Sequence, residues 1–291
     1  MKTKFIFFSL LIFSISNSQI ISGRIISSEN NQAIPFARIG VVGENIGEVS
    51  NETGHFTIDL TPIDKTKKIT VQLGGFNSYE QNIKDFINSN NHTIVMKEKV
   101  SDIAEVIINP KKYENKNLGV TSKKMYYGFS SNGTTANKYR EFAIPFSNNK
   151  KLKIEKININ IAQFETDKPI ILNFNIYSNK NKQPGESILL QNLTVELTKD
   201  KIVNGTFTFD LKDKSIWVDK EDFYVSVQVM SGFKGRFGFN AAVLRTVFER
   251  SFYNNWEKVS MGSPAINIYV KIEKEKRRTI TKLSLGLKSQ Q

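Results

Sequence analysis

Short stretches in which every second residue is apolar recur along this chain, and that period decides its fold class. In "EKININIAQF" the residues Ile157, Ile159 and Ile161 share one face of an extended strand, because successive side chains of a strand point to opposite sides. "IILNFNIYS" repeats the pattern with Leu172, Phe174 and Ile176, "TFTFDL" with Phe207, Phe209 and Leu211, and "INIYVKI" with Ile266, Ile268, Val270 and Ile272. "NLTVELT" and "FYVSVQV" follow the same rule. Before Ile157 the parity is inverted at Leu152 and Ile154, so a β-bulge is expected near Glu155. Earlier segments, among them "ISGRIIS", "ARIGVV", "GHFTIDL", "KITVQL" and "HTIVMK", are shorter and end in Gly, Pro, Asn or charged clusters. Helical periodicity is nearly absent, "YEQNIKDFINS" being the one candidate for a short helix. The expectation is an all-β chain of two sandwiches, the second of jelly-roll type.

The stretch "GEVSNETGHF", Gly47 to Phe56, crowds polar side chains as a calcium loop does. A calcium loop, however, places several carboxylates at alternate positions. Here only Glu52 lies inside the turn, with Glu48 on its flank and His55 alone. Asx side chains and a glycine at positive φ explain it better as the turn of a hairpin.

The first residues, "MKTKFIFFSLLIFSISNSQ", combine Lys2 and Lys4, an apolar run from Phe5 to Ile15, and small residues at Ser16 and Ser18. This layout predicts a signal peptide over residues 1–18 and a mature chain from Gln19. The run is shorter than the ~20 residues of a spanning helix, so no transmembrane span is expected. Export places the protein in the periplasm, on the outer-membrane surface or outside the cell. The chain has no Cys, which removes disulfides, thiolate metal sites and a Cys nucleophile. Charge is uneven: residues 20–109 hold 8 Lys+Arg against 11 Asp+Glu, and residues 110–291 hold 31 against 17. A polyanionic partner therefore belongs to the second half, unless its lysines only serve solubility.

Several motifs of the first half occur in the order of a known family. They are Gly23 in the first strand, "IPFARI" from Ile34, "GEVSNETGHFTIDL" from Gly47, "LGGF" from Leu73 and the closing "IVMKEKVSDIAEVIINP". Residues 20–109 resemble the carboxypeptidase regulatory-like domain, a transthyretin-like β-sandwich found in exported proteins of Gram-negative bacteria. Phe76 departs from the Tyr more usual after the glycine. The resemblance implies a fold and an accessory role without chemistry, since such domains carry no zinc site of their own. Two isolated His residues in the whole chain cannot assemble one either. Parts of the second half, "EFAIPF", "FNIYSNKNKQPGE" and "DFYVSVQV", resemble the uncharacterised β-rich region that follows such domains, and carry no activity over.

"NPKKYENKNLG" is polar and aperiodic, and "GFSSNGTTANKY" is loop-like, so residues 110–138 read as a linker, residues 139–272 as the second domain and residues 273–291 as a basic tail. Gly232, Gly235 and Gly238 lack the strand-loop-helix setting of a phosphate cradle and suggest a kinked or closely packed strand. The acidic cluster of "DLKDKSIWVDKEDF" could hide a glycosidase pair, but charged turns around a strand account for it. No catalytic, cofactor or metal residues are predicted. Three aromatics are the ligand-binding candidates: Trp217, and the pair Tyr253 and Trp256 in "RSFYNNWEKVS", whose composition suits a carbohydrate- or partner-binding loop or plain packing. The expectation is a non-enzymatic binding or structural module of the cell envelope, with a cell-surface polysaccharide or an envelope protein as partner. No nucleic-acid partner is expected. The rivals are a carbohydrate-binding accessory module and an unrecognised hydrolase.

Overall fold

The computed structural model describes residues 18–100, 112–132, 140–230 and 232–274; the segment expected to be a signal peptide, up to residue 17, and most of the expected tail, from residue 275, lie outside the described residues. The first domain runs β1 (Ile20–Ser27), β2 (Arg38–Val41), β3 (Gly47–Val49), β4 (His55–Asp59), β5 (Lys68–Gln72), β6 (Tyr79–Asn82), α1 (Ile83–Asn88) and β7 (Thr93–Met96). Its strands form two sheets, of order β4-β1-β7 and β3-β2-β5-β6. The alternating residues Ile21, Ile25, Ile39, Phe56, Ile58 and Ile69 close one core between them.

Asn51 organises the β3–β4 turn. Its Oδ1 accepts hydrogen bonds from the Thr53 amide at 2.9 Å, the Thr53 hydroxyl at 2.8 Å and the His55 amide at 3.0 Å. Gly54 closes the turn at φ +76°, and a side chain there would meet the Ile25 carbonyl at 2.7 Å. The stretch is a turn held by its own side chains. Gly54→Val should cost about 1–3 kcal/mol in a chemical melt, through strain and the clash. Glu52→Ala, which removes only an exposed side chain, should cost less than about 0.5 kcal/mol.

The second domain continues with β8 (Tyr113–Gly119), β9 (Met125–Asn132), β10 (Arg140–Phe146), β11 (Leu152–Thr166), β12 (Ile170–Lys180), β13 (Gln183–Ser187), β14 (Leu193–Leu197), β15 (Ile202–Val203) and β16 (Thr206–Asp210). It ends with β17 (Ile216–Val218), β18 (Phe223–Val229), β19 (Lys234–Val243), β20 (Val247–Ser251), β21 (Glu257–Val259), β22 (Gly262–Pro264) and β23 (Ile266–Glu273). A seven-stranded sheet is ordered β13-β12-β18-β10-β20-β21, with β14 on β12. A nine-stranded sheet is built around β11, which pairs with β16, β17, β19 and β23. Side chains from both sheets, such as Phe142, Val225, Ile157 and Ile268, fill one core. The chain is all-β, two sandwiches in series.

The register of β11 against β23 shifts between Ile154 and Lys156, the bulge expected at Glu155. The glycine-rich segment is strand β19, and the Tyr126 ring lies so close to Gly238 that a Cβ there would meet it at 2.3 Å. One boundary differs from expectation. Residues 110–138, read as a linker, supply β8, which pairs with the last strand β23, and β9, which pairs with β19. β8 was hidden because its sequence, "YENKNLG", is polar on both faces and only Leu118 touches the core. An edge strand buries too little to show a period.

A candidate site between the two domains

Strand β2 is buried on both faces. Ile39 and Val41 point into their own core, and Arg38 and Gly40 point the other way, because alternate residues of a strand face opposite sides. The outer face of the seven-stranded sheet meets that second side. It consists of Glu141 and Ala143 from β10, Asn175 and Tyr177 from β12, and Tyr224, Ser226 and Gln228 from β18, all buried.

At the centre sits Glu141, 1% exposed. Its Oε2 accepts from Arg38 Nη1 of the first domain at 2.7 Å and from Arg250 of the second at 2.9 Å through Nε and 2.8 Å through Nη2. Its Oε1 accepts from the Tyr177 hydroxyl and from Ser226 Oγ, each at 2.7 Å. Arg250 Nη2 also donates to the Tyr177 oxygen at 3.0 Å. Burial alone would raise the Glu141 carboxyl. The Arg250 and Arg38 charges, with the hydrogen bonds from Ser226 and Tyr177, outweigh it and hold the group down at about 2. Burial pushes the Tyr177 and Tyr253 phenols up, so both remain neutral donors.

The predicted loop around Tyr253 is the other half of this contact. Tyr253 is 4% exposed, donates its hydroxyl to the Arg38 carbonyl, and lays its ring against Gly40, where a Cβ would meet it at 2.5 Å. Phe252 packs the same way on Gly47, and the Gly43 amide donates to the Tyr253 carbonyl at 3.0 Å. Trp256 carries Arg250 over its ring at 4.1 Å and meets Tyr177 edge-on at 5.7 Å. Gly75 approaches Gln191 so closely that a Cβ would lie 2.7 Å from its Cα. Trp217 lies elsewhere, on the outer face of the nine-stranded sheet. The structure thus joins Tyr253 and Trp256 in one cluster and leaves Trp217 apart.

Beside the ion cluster opens a cleft of about 440 Å³, walled by Gln72, Asn77 and Lys99 of the first domain and Asn173, Tyr177 and Glu186 of the second. Lys99 Nζ donates to the Ser187 carbonyl at 3.0 Å, and burial pushes its ammonium below the ordinary range, Glu186 opposing. These groups hold one another: Asn175 Nδ2 donates to the Tyr177 oxygen at 3.1 Å, and Asn173 Nδ2 to Asn192 and Thr194 at 2.9 Å. Their chemistry is hydrogen bonding and charge pairing. Among the described residues no group of three His, Asp or Glu is placed to hold a metal ion. No described helix is long and apolar enough to cross a membrane.

Arg38, Glu141 and Arg250 were not singled out from sequence. The one available signal was a charge inside an apolar strand, as in "ARIGV" and "REFAIPF".

A search of curated proteins finds no match. Among solved structures, the chain has 10% identity and a TM-score of 0.30 to one titled "Structure of infectious bursal disease virus Gx strain", covering 87% of this chain and 55% of that one. For the Gt strain of the same virus the values are 9% and 0.27, with 91% and 65% covered. The chain thus spans less than two thirds of the length of either. The family model of the CarboxypepD_reg-like domain, a non-catalytic β-sandwich module, matches residues 21–108, the same segment that resembles it by motif.

Proposed function

We propose that this is an exported, non-enzymatic protein of the cell envelope in which two β-sandwiches act as one rigid binding or structural module. The observation that carries the reading is Glu141, buried between an arginine of each domain. Parting the domains would break the Arg38–Glu141 ion pair and the Tyr253–Arg38 hydrogen bond, and would uncover the buried faces of Ala143, Tyr177 and Tyr253, so the contact resists hinge motion. The regulatory-like domain is then a platform for the second sandwich and not a tethered appendage. The leader-like N-terminus supports export, and the hydrogen bonds that tie Asn173, Asn175 and Tyr177 of the cleft to their neighbours suit a structural contact.

Two measurements test this. Fractionation of cells expressing the full chain should recover it from the envelope or the medium, beginning at Gln19; recovery from the cytoplasm with Met1 retained would refute export. Calorimetry should show a single unfolding transition, and two separate transitions would refute the rigid unit.

A further inference from the structure

The outer face of the nine-stranded sheet is the surface farthest from the first domain, because that domain covers the outer face of the opposing sheet. Its composition follows from register. Lys153 of β11 lies between Trp217 of β17 and Lys271 of β23, and Lys156 lies beside Tyr269 of β23. The apolar partners of these residues, Ile154, Ile157, Val270 and Ile272, all point into the core, so the row of lysines and aromatics points outward. Trp217 is 40% exposed and Tyr113 is 39% exposed, and their rings meet at 6.0 Å. Lys151 stands over the Trp217 ring at 6.0 Å. On the same face lies a shallow depression of about 490 Å³ between Lys156, Tyr269 and the amides of Asn115 and Asn117, whose one carboxylate, Glu155, is held by Lys271 at 2.7 Å.

From this placement, and resting on the binding-module reading, we infer that the face is a binding site for an anionic polysaccharide. Three features select that class. Exposed aromatic rings offer flat apolar surface on which the C–H face of a sugar ring stacks. The exposed amides of Asn115 and Asn117 can donate to and accept from sugar hydroxyls, beside Asn158 and Asn267, which bond to each other at 2.9 Å. Lys153 and Lys156 have no carboxylate partner among the described residues, Lys153 donating only to the Lys212 carbonyl at 2.7 Å, so their charge is open to an acidic sugar. A folded peptide would ask instead for an apolar pocket, which this face lacks.

The test is titration of the full chain with a sulfated glycan (heparin), a carboxylated one (polygalacturonate) and neutral dextran. At about 50 mM salt at least one anionic glycan should bind, and binding should fall steeply towards about 200 mM, as release of condensed counterions requires. Dextran should bind much more weakly. Trp217→Ala should weaken binding about tenfold at either salt concentration, whereas a Lys153→Gln, Lys156→Gln double variant should weaken it and flatten its salt dependence. All these side chains are at the surface, so unchanged melting temperatures should accompany both losses. Full binding by both variants, or its abolition by removing residues 275–291 alone, would overturn the site. Absence of binding to either anionic glycan would do the same, while envelope recovery and a single unfolding transition would leave the module reading standing.

Discussion

Glu141→Ala is expected to destabilise the protein by about 3–5 kcal/mol, the largest loss of any single substitution proposed for this chain. The mutation leaves Arg38 and Arg250 facing each other across the place of their shared anion, with side chains 9% and 11% exposed. It also removes the acceptor of the Tyr177 and Ser226 hydroxyls. Neither arginine can shed its proton, and each touches water only at the edge of the interdomain cleft that both line. The cost is that of stranded charge, not of lost packing. Removing all three ions should therefore recover most of the loss: Arg38→Met, Glu141→Leu and Arg250→Met together should melt closer to the parent than Glu141→Ala alone. Urea melts of the three proteins check this. A loss below about 1 kcal/mol in the single variant would mean that water reaches the cluster freely.

The second large effect is a response to acid. Glu141 titrates at about 2 in the folded protein against an ordinary 4.5. A carboxyl whose folded value is depressed contributes stability above its unfolded value and loses it as pH falls through the folded one. The contribution, on the order of 3 kcal/mol, is thus complete at neutral pH and fades from about pH 4.5 to about pH 2. Exposed carboxylates held by turn hydrogen bonds, such as Asp59 and Asp64, titrate in the same direction. The difference between the parent and Glu141→Ala isolates the buried group: the stability gap between them should narrow across that window. A gap that stayed constant from pH 6 to pH 3 would show that Glu141 is not the acid-sensitive element.

The strands that could be seen in sequence were those with one wet and one dry side. Ile157, Ile159 and Ile161 alternate with Asn158 and Asn160, and the bulge at Glu155 betrayed itself by a change of parity. What could not be seen was a second layer. In β12 and β18 the residues Asn173, Asn175, Ser226 and Gln228 alternate with aliphatics as solvent-facing residues would, yet all four are buried. A polar face beneath another domain has the same pattern as a polar face beneath water, provided its hydrogen bonds are met within the interface. The same ambiguity veiled the loop at Tyr253 and Trp256. Aromatics among Arg and Asn do suit a binding loop; here Tyr253 grips the chain's own first domain, and Trp256 packs on Arg250 of its own domain.

The pairing of β8 with β23 sets a timetable. Tyr113 lies opposite Glu273, 160 residues later, so the second sandwich cannot close until nearly the last described residue has been made. At roughly 5–20 residues per second, synthesis of that span occupies about 8–32 seconds after the first sandwich is complete. Until Arg250 is made, Arg38 is an ordinary hydrated cation on a finished domain, and Glu141 an ordinary hydrated anion on an unfinished one. The cluster can assemble only once Arg250 has been made, when the two ions give up their water together.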